Sequence, residues 1–225
     1  MSNKTTVIML GYRSLTGKDT FFSFAKDLDY KRLAFADCLK DTVADLYNFS
    51  HEQMHGDYKD VEDTRYLNLV DPKTITVFGH LGVGVRGVGP PIEIPNPDYK
   101  KFLTPRRVLQ IFGQDQRKLF PDIWASYIFN TKVPELISQG HTKIVITDFR
   151  FRNEADVALR WSETRPDIDL KLINIKRDVI ARSGANDISE NDLNTFSKWH
   201  YTLDNNSTLV SFGDKVTSLL ATLHT

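Results

Sequence analysis

One cysteine, Cys38, stands in a chain of 225 residues. A single thiol excludes an intramolecular disulfide and gives no cysteine-rich metal site. Net charge is absent too, because 29 Lys and Arg balance 29 Asp and Glu. That balance argues against broad, nonspecific nucleic-acid binding. No apolar run approaches the roughly 20 residues of a membrane-spanning helix. The opening MSNKTTVIMLGYRS has too short an apolar stretch for a signal peptide. These absences predict a soluble, cytoplasmic protein with neither a membrane nor a nucleic-acid partner. What is present, 40% hydrophobic and 26% charged residues, is near a globular average and speaks against disorder. The length suits one domain, 1–225, with room for an insertion.

The zero sum hides segregation. Residues 36–64 hold eight acidic and two basic side chains, and residues 98–120 hold six basic and two acidic ones. A local basic segment in a neutral protein suits a small anionic ligand better than a polyanion, although a solvated helix face would look the same.

Residues 6–10 (TVIML) read as a short buried strand that runs into a turn at Gly11. From Gly17 onward, Phe21, Phe24, Ala25 and Leu28 fall at helical spacing. A second strand is expected at 32–36, then a helix over 37–49 with Leu39, Val43, Leu46 and Tyr47 on one side. Residues 51–103, rich in Asp, Gly and Pro, read as a mostly irregular insertion with short strands near 75–78. Thr104 resembles an N-cap and Pro105 a first helical residue, for a helix to Leu119 that buries Val108, Ile111, Phe112 and Leu119. Another helix is expected over 123–137, with Pro134 as a break or restart. Strands at 143–148, 169–175 and 201–203 alternate with helices at 153–162 and 212–223. This alternation implies an α/β fold with a parallel sheet between helical layers.

The strongest chemical signal is GYRSLTGKDT at 11–20. It lies after a buried strand and opens a helix, where backbone N–H groups and the helix N-terminus can wrap a phosphate. Lys18 would reach the β and γ phosphates, and Thr20 would offer its hydroxyl to Mg²⁺. Five residues rather than four separate Gly11 from Gly17, and Asp19 stands between Lys18 and Thr20. A second glycine pattern, GVGVRG at 82–87, matches G-x-G-x-x-G but has Pro90-Pro91 where a helix should start, so it reads as a loop. Asp148 ends the KIVITD strand, at the edge where parallel sheets bind ligands. It could hold Mg²⁺ or simply cap a strand end. Arg150, Arg152 and Arg177 follow consecutive strands and could supply the cations that phosphoryl transfer requires.

The ordered series GYRSLTGKDT, LAFADCLKDTVADLY, TPRRVLQIFGQDQRKLFPDIW, IVITDFRFRNEADV, ISEND and HYTLDNNST resembles the bacteriophage deoxynucleoside monophosphate kinase family. Phosphomevalonate kinase and dephospho-coenzyme A kinase share some of these elements. The resemblance implies a P-loop kinase three-layer sandwich with a central parallel sheet, the irregular insertion at 51–103 and a lid at 177–195. It implies transfer of the ATP γ-phosphate, with Mg²⁺, to a deoxynucleoside monophosphate.

Carried over by position, Gly11, Arg13, Ser14, Thr16, Gly17, Lys18, Asp19 and Thr20 would hold ATP. Arg177 and Arg182 would close on it, and Asn205 would lie near the adenine. Arg106, Arg107, Gln110 and Gly113 would face the acceptor, with Asp115 and Trp124 at its sugar or base and Asp37 and Lys40 lining its pocket. Lys18, Asp148, Arg150 and Arg177 would serve catalysis, and Thr20 and Asp148 the metal. Where the family's lid carries a histidine, this chain has Asp187. Trp124 could equally be core, and Gln110 and Asp115 plain helix-surface groups. A helix of the insertion could support a homodimer. The alternatives are a P-loop kinase for another phosphorylated metabolite and a noncatalytic nucleotide-binding module.

Overall fold

The computed structural model describes residues 4–11, 13–80, 88–178 and 191–223, without the side chains of 77–80 and 88–90. The GVGVRG motif, Tyr12, Arg182, Asp187 and most of the expected lid lie outside the described residues. Among the described residues no helix is long and apolar enough to cross a membrane.

The chain divides into two compact units, one of residues 1–41 and 115–225, the other of residues 42–114. In the first unit, β1 (Thr5–Gly11) is buried along its whole length, as its apolar run requires. It sits in the middle of a five-stranded sheet of order β2-β5-β1-β6-β7, formed with β2 (Lys31–Leu33), β5 (Lys143–Phe149), β6 (Ile168–Lys176) and β7 (Tyr201–Asp204). Every pairing in it is parallel. A sheet of this kind needs both faces covered, and helices cover them.

Helix α1 (Lys18–Lys26) follows β1, and Phe21 and Ala25 of its apolar face pack with Ile8, Leu10, Val145 and Ile173. The closing helix α8 (Leu209–Thr222) adds Phe212, Val216 and Leu220 to the same cluster. Elsewhere in the unit, Phe129 sits between Phe35 and Trp161, at ring distances of 6.3 and 5.3 Å. Trp161 belongs to α7 (Arg152–Glu163).

Helix α2 (Phe35–Tyr47) starts two residues before its expected first residue, and β2 ends at Leu33. The early start has a cause in the sheet. Between Met9 and Gly11 the β1–β5 register slips, so that the step from Ile146 to Phe149 opposes the shorter step from Met9 to Gly11. A bulge of this kind re-aims a side chain at a strand end. The Asp148 carboxylate accepts the N–H groups of Phe35 (2.7 Å) and Ala36 (2.9 Å), and so caps α2 from a distant strand.

Helix α4 (Pro105–Leu119) begins as expected, with the Thr104 hydroxyl accepting the Arg107 N–H at 3.1 Å. Its buried residues include Val108 and Leu109, whereas Leu119 is 77% exposed, against expectation. Ile111 and Phe112, also expected to be buried, are half-buried. The expected helix over 123–137 is α5 (Ile123–Tyr127), a π-helical turn at Ile128–Lys132, and α6 (Val133–Ser138), which restarts with Pro134 in its first turn.

The second unit is more ordered than an irregular insertion. Helix α3 (His51–His55) has a Ser50–Gln53 capping box, a signal legible as S-x-x-Q in the sequence. A 3₁₀ turn follows at Asp57–Asp60, and β3 (Thr74–His80) pairs antiparallel with β4 (Val88–Pro95). The two ends of the segment are strapped together. Asp63 N–H donates to Leu103 O, Leu103 N–H to Tyr66 O, and Asn68 N–H to Lys101 O. Buried Asp63 accepts from Arg65 and Gln53, and these bonds hold its carboxyl well below the usual range.

Gly11 tests the packing at the end of β1. A Cβ there would come within 2.3 Å of the Trp199 ring and 3.1 Å of Phe149. Gly11→Ala is therefore expected to destabilise the protein by about 1–3 kcal/mol, through overpacking against a rigid ring. Urea denaturation should show the loss, and Trp199→Leu should recover part of it in the double variant. Full stability in the single variant would contradict this packing.

Candidate active site

Two carbonyls of the loop between β1 and α1, those of Arg13 and Thr16, are held by side chains. Arg13 O accepts the Thr16 hydroxyl at 3.1 Å and the Lys18 ammonium, and Thr16 O accepts the Asn205 side-chain N–H at 2.8 Å. Across a planar trans peptide, the N–H of the next residue points the opposite way. The Gly17 N–H thus opposes a carbonyl that is anchored from within. Leu15 (φ 61°) and Gly17 (φ 106°) are both in the left-handed region. Such alternating backbone forms the concave N–H surface that binds anions. Gly17 is also the N-cap of α1, so the positive end of that helix lies at the same place.

A Cβ on Gly17 would lie 2.3 Å from the Asn205 amide nitrogen, which explains glycine here beyond its φ. Lys18 and Thr16 are buried, Thr20 and Ser14 half-buried, and Asp19 exposed in the first turn of α1. The loop thus gathers the expected ATP-side residues Gly11 to Thr20, Tyr12 aside. Asn205, expected near an adenine, is a strut beneath the loop.

The sequence reading missed the support around this loop. Arg13 donates to Asn194 at 3.0 Å. Arg152, read as a crevice cation, instead anchors the segment from 192: its backbone N–H donates to the Asp192 carboxylate (2.7 Å) and its Nε to Asp192 O (2.9 Å). Phe196 packs edge to face on Phe149 and on Trp199, and Phe149 and Trp199 meet tilted beside Gly11.

In the first turn of α7, just after β5, Glu154 is a second functional-looking group not singled out from the sequence. Its Oε2 accepts the N–H groups of Arg150 (2.9 Å) and Phe151 (3.0 Å), which fixes the turn that carries Arg150. Arg117 lies 3.8 Å from its other oxygen and stacks on the Phe151 ring at 4.5 Å. Glu154 is 3% exposed, and burial pushes its carboxyl up to about 8. Burial also raises Asp148, against the pull of its two backbone donors. The Glu three residues after Phe151 in FRNEADV was the readable signal, because a Glu at that position reaches back to orphan N–H groups of a helix start.

Other expected residues of this unit are placed less tellingly. Asp37 pairs with Arg32 at 2.9 Å, and Lys40 is half-buried on α2. Asp115 is exposed and pairs with Lys118 at 2.7 Å. Trp124 is buried, and its indole N–H has no hydrogen-bond partner among the described residues. Arg177 is exposed just beyond β6.

The second unit holds a cleft of about 190 Å³ lined by Arg106, Arg107, Gln110 and Lys100, with Asp60 and Asp71 opposite. Arg106 pairs with Asp60 (Nη2–Oδ2 2.9 Å) and Arg107 with Asp71 (Nε 3.0 Å to both oxygens). The basic segment is thus matched by carboxylates of the same unit, a pairing invisible at sequence separations of 46 and 36. Gly113 is buried on α4.

Among the described residues no cluster of three or more His, Cys, Asp or Glu is arranged to hold a metal. A divalent cation would therefore depend on hard oxygen donors and on the ligand's own phosphates, as Mg²⁺ usually does. The Thr20 hydroxyl and Asp148 carboxylate belong to that donor class.

Glu154 gives the site a pH signature. Between 4.5, its ordinary value, and about 8, the folded chain keeps a proton that the unfolded chain has lost. Stability due to this group therefore falls as pH rises through that window. Urea midpoints at pH 5.5 and 8 should drop more for the wild type than for Glu154→Gln. Equal drops would show that Glu154 ionises normally.

No protein-family model matches the chain. A protein of Acanthamoeba polyphaga mimivirus, described as a "putative deoxynucleotide monophosphate kinase", is 26% identical over 206 residues, 90% of each chain. Among solved structures, dephospho-CoA kinase from Campylobacter jejuni aligns over 97% of this chain and 96% of its own, at a TM-score of 0.46 and 14% identity. This chain is a distant homologue of the viral protein along nearly its whole length.

Proposed function

We propose that this protein is a deoxynucleoside monophosphate kinase, which moves the γ-phosphate of ATP to the 5′-phosphate of a deoxynucleoside monophosphate and releases ADP. The homology supports the coarser statement, a nucleotide-binding phosphotransferase of the P-loop kinase type. The observation that carries the reading is the loop before α1, whose carbonyls at Arg13 and Thr16 are held inward by Lys18, Thr16 and Asn205. A loop so braced offers N–H groups and a helix N-terminus to phosphates.

In this reading Lys18 leaves the Arg13 carbonyl for the β and γ phosphates. Thr20 and Asp148 hold Mg²⁺, which neutralises phosphate charge when bound. Arg150, on its Glu154-fixed turn, and Arg177 add positive charge to the transferred group. Asp19 and Ser14 complete the loop, and Asn205 serves ATP by bracing it. Arg106, Arg107 and Gln110 take the acceptor phosphate, with Asp37 and Lys40 on the acceptor side. The attacking atom is a phosphate oxygen, already anionic near neutral pH, so no general base is assigned. Catalysis is positioning and charge neutralisation.

The cleft around Arg106 and Arg107 has the chemistry for a phosphate monoester. Phosphomevalonate and dephospho-coenzyme A therefore belong in the same assay as a panel of deoxy- and ribonucleoside monophosphates. ADP release with ATP–Mg²⁺ is expected to depend on a deoxynucleoside monophosphate. Lys18→Ala should cut that turnover at least about 10²-fold while the chain stays folded. Release driven only by another acceptor would reassign the substrate, and near-wild-type turnover in Lys18→Ala would remove the loop from the mechanism.

A further inference from the structure

Arg106 and Arg107 stand side by side at the start of α4, yet their carboxylate partners differ. The Arg106–Asp60 pair is open to solvent, with side chains 50% and 61% exposed. An exposed ion pair of that kind contributes little. The Arg107–Asp71 pair is more enclosed, at 38% and 21%, and it is built from beneath. Asn68, 4% exposed, donates its amide to Asp71 Oδ2 (3.0 Å) and to Lys100 O (2.9 Å). Its carbonyl oxygen accepts the N–H groups of Val70 (3.2 Å) and Asp71 (3.0 Å). Both Asp71 and its loop are therefore fixed by one buried amide. The Arg107 bonds in turn hold the Asp71 carboxyl below its ordinary value.

The geometry at Arg107 distinguishes its two edges. Asp71 takes the side edge, through Nε and Nη2. Among the described residues Nη1 makes no hydrogen bond. The end edge, Nη1 with the second Nη2 hydrogen, is left by Asp71 on a guanidinium whose plane that carboxylate fixes, on a residue that lines the cleft. A guanidinium fork of that kind matches two oxygens of a phosphate monoester. The carboxylate also offsets one positive charge of the cleft, so retention of an anion depends on its geometry more than on its charge alone.

We infer that Asp71, held by Asn68, is a positioning residue that orients Arg107 for the phosphate of the acceptor. This rests on the acceptor assignment proposed above. Asp71 touches no substrate. It lowers the cost of ordering the arginine when the phosphate arrives.

The test uses the full-length chain, in two measurements. Calorimetric binding of a panel of deoxynucleoside 5′-monophosphates is compared for wild type, Asp71→Asn, Arg107→Ala and the double variant. Steady-state ADP release is measured on the same four proteins. Asp71→Asn is expected to weaken monophosphate binding about tenfold or more, and to raise its KM alike, with the ATP KM and thermal midpoint unchanged. In the Arg107→Ala background the same change should have no further effect on binding, because Asp71 acts through Arg107. Asp71→Glu, which keeps the charge, should recover part of the loss.

Wild-type binding and turnover with an unaltered or tighter Asp71→Asn would overturn the inference and leave the kinase reading standing. Additive losses in the double variant would overturn it too. If the wild type binds monophosphate without transferring phosphate, and Asp71→Asn weakens that binding, the inference stands and the kinase reading falls. Absence of monophosphate binding in the wild type overturns both.

Discussion

The first unit depends on the exit of one buried strand. β1 has neighbours on both sides and helices over both faces, so the chain that leaves it has only the carboxyl edge of the sheet to turn across. Turning there costs backbone hydrogen bonds, which the loop recovers from its own residues and from Asn205. Gly11 and Gly17 are required at its two ends by different neighbours, the Trp199 ring and the Asn205 amide. The phosphate-binding role we propose is consistent with this solution, because the bonded carbonyls of Arg13 and Thr16 leave the N–H groups that follow them to point the other way. In the proposed reading, a loop that closes a sheet edge serves as the anion site as a consequence of peptide planarity.

The same economy shapes the neighbouring strand end. Two carboxylates, Asp148 and Glu154, satisfy four backbone N–H groups between them, at the starts of α2 and α7. Both are pushed up by burial, so both are costly groups that the fold retains. Glu154 fixes the turn that bears Arg150, and Asp148 fixes the start of α2. Each Asp148 oxygen accepts one backbone bond and keeps a second lone pair, so the cap leaves room for the metal role proposed for it.

The strand, loop and helix around Lys18 were legible because one local pattern, an apolar run followed by glycines and a helical stripe, determines them all. The α4 start was legible at Thr104-Pro105 for the same reason. What escaped was nonlocal. Nothing near Asp148 announces that it caps a helix more than a hundred residues away, and that cap moved the start of α2 to Phe35. Asn205 was placed on the ATP side by resemblance, but its contact with Thr16 depends on two strand ends meeting. The carboxylate partners of Arg106 and Arg107 lie in a segment whose composition reads as irregular, so its buried Asn68 and its straps were hidden. Leu119 fitted the helical stripe of α4, yet the stripe continues past the point where anything covers it. Where pattern and packing part, pairing between distant residues decides.

The central claim is that nucleotide phosphates bind the backbone of the loop between β1 and α1. Amide chemical-shift mapping of the ¹⁵N-labelled chain with ADP–Mg²⁺ tests this most directly, residue by residue and without turnover. The account predicts the largest changes at the N–H groups of Gly17, Lys18, Asp19 and Thr20. Large changes elsewhere, with those four amides unmoved at saturating nucleotide, would contradict it.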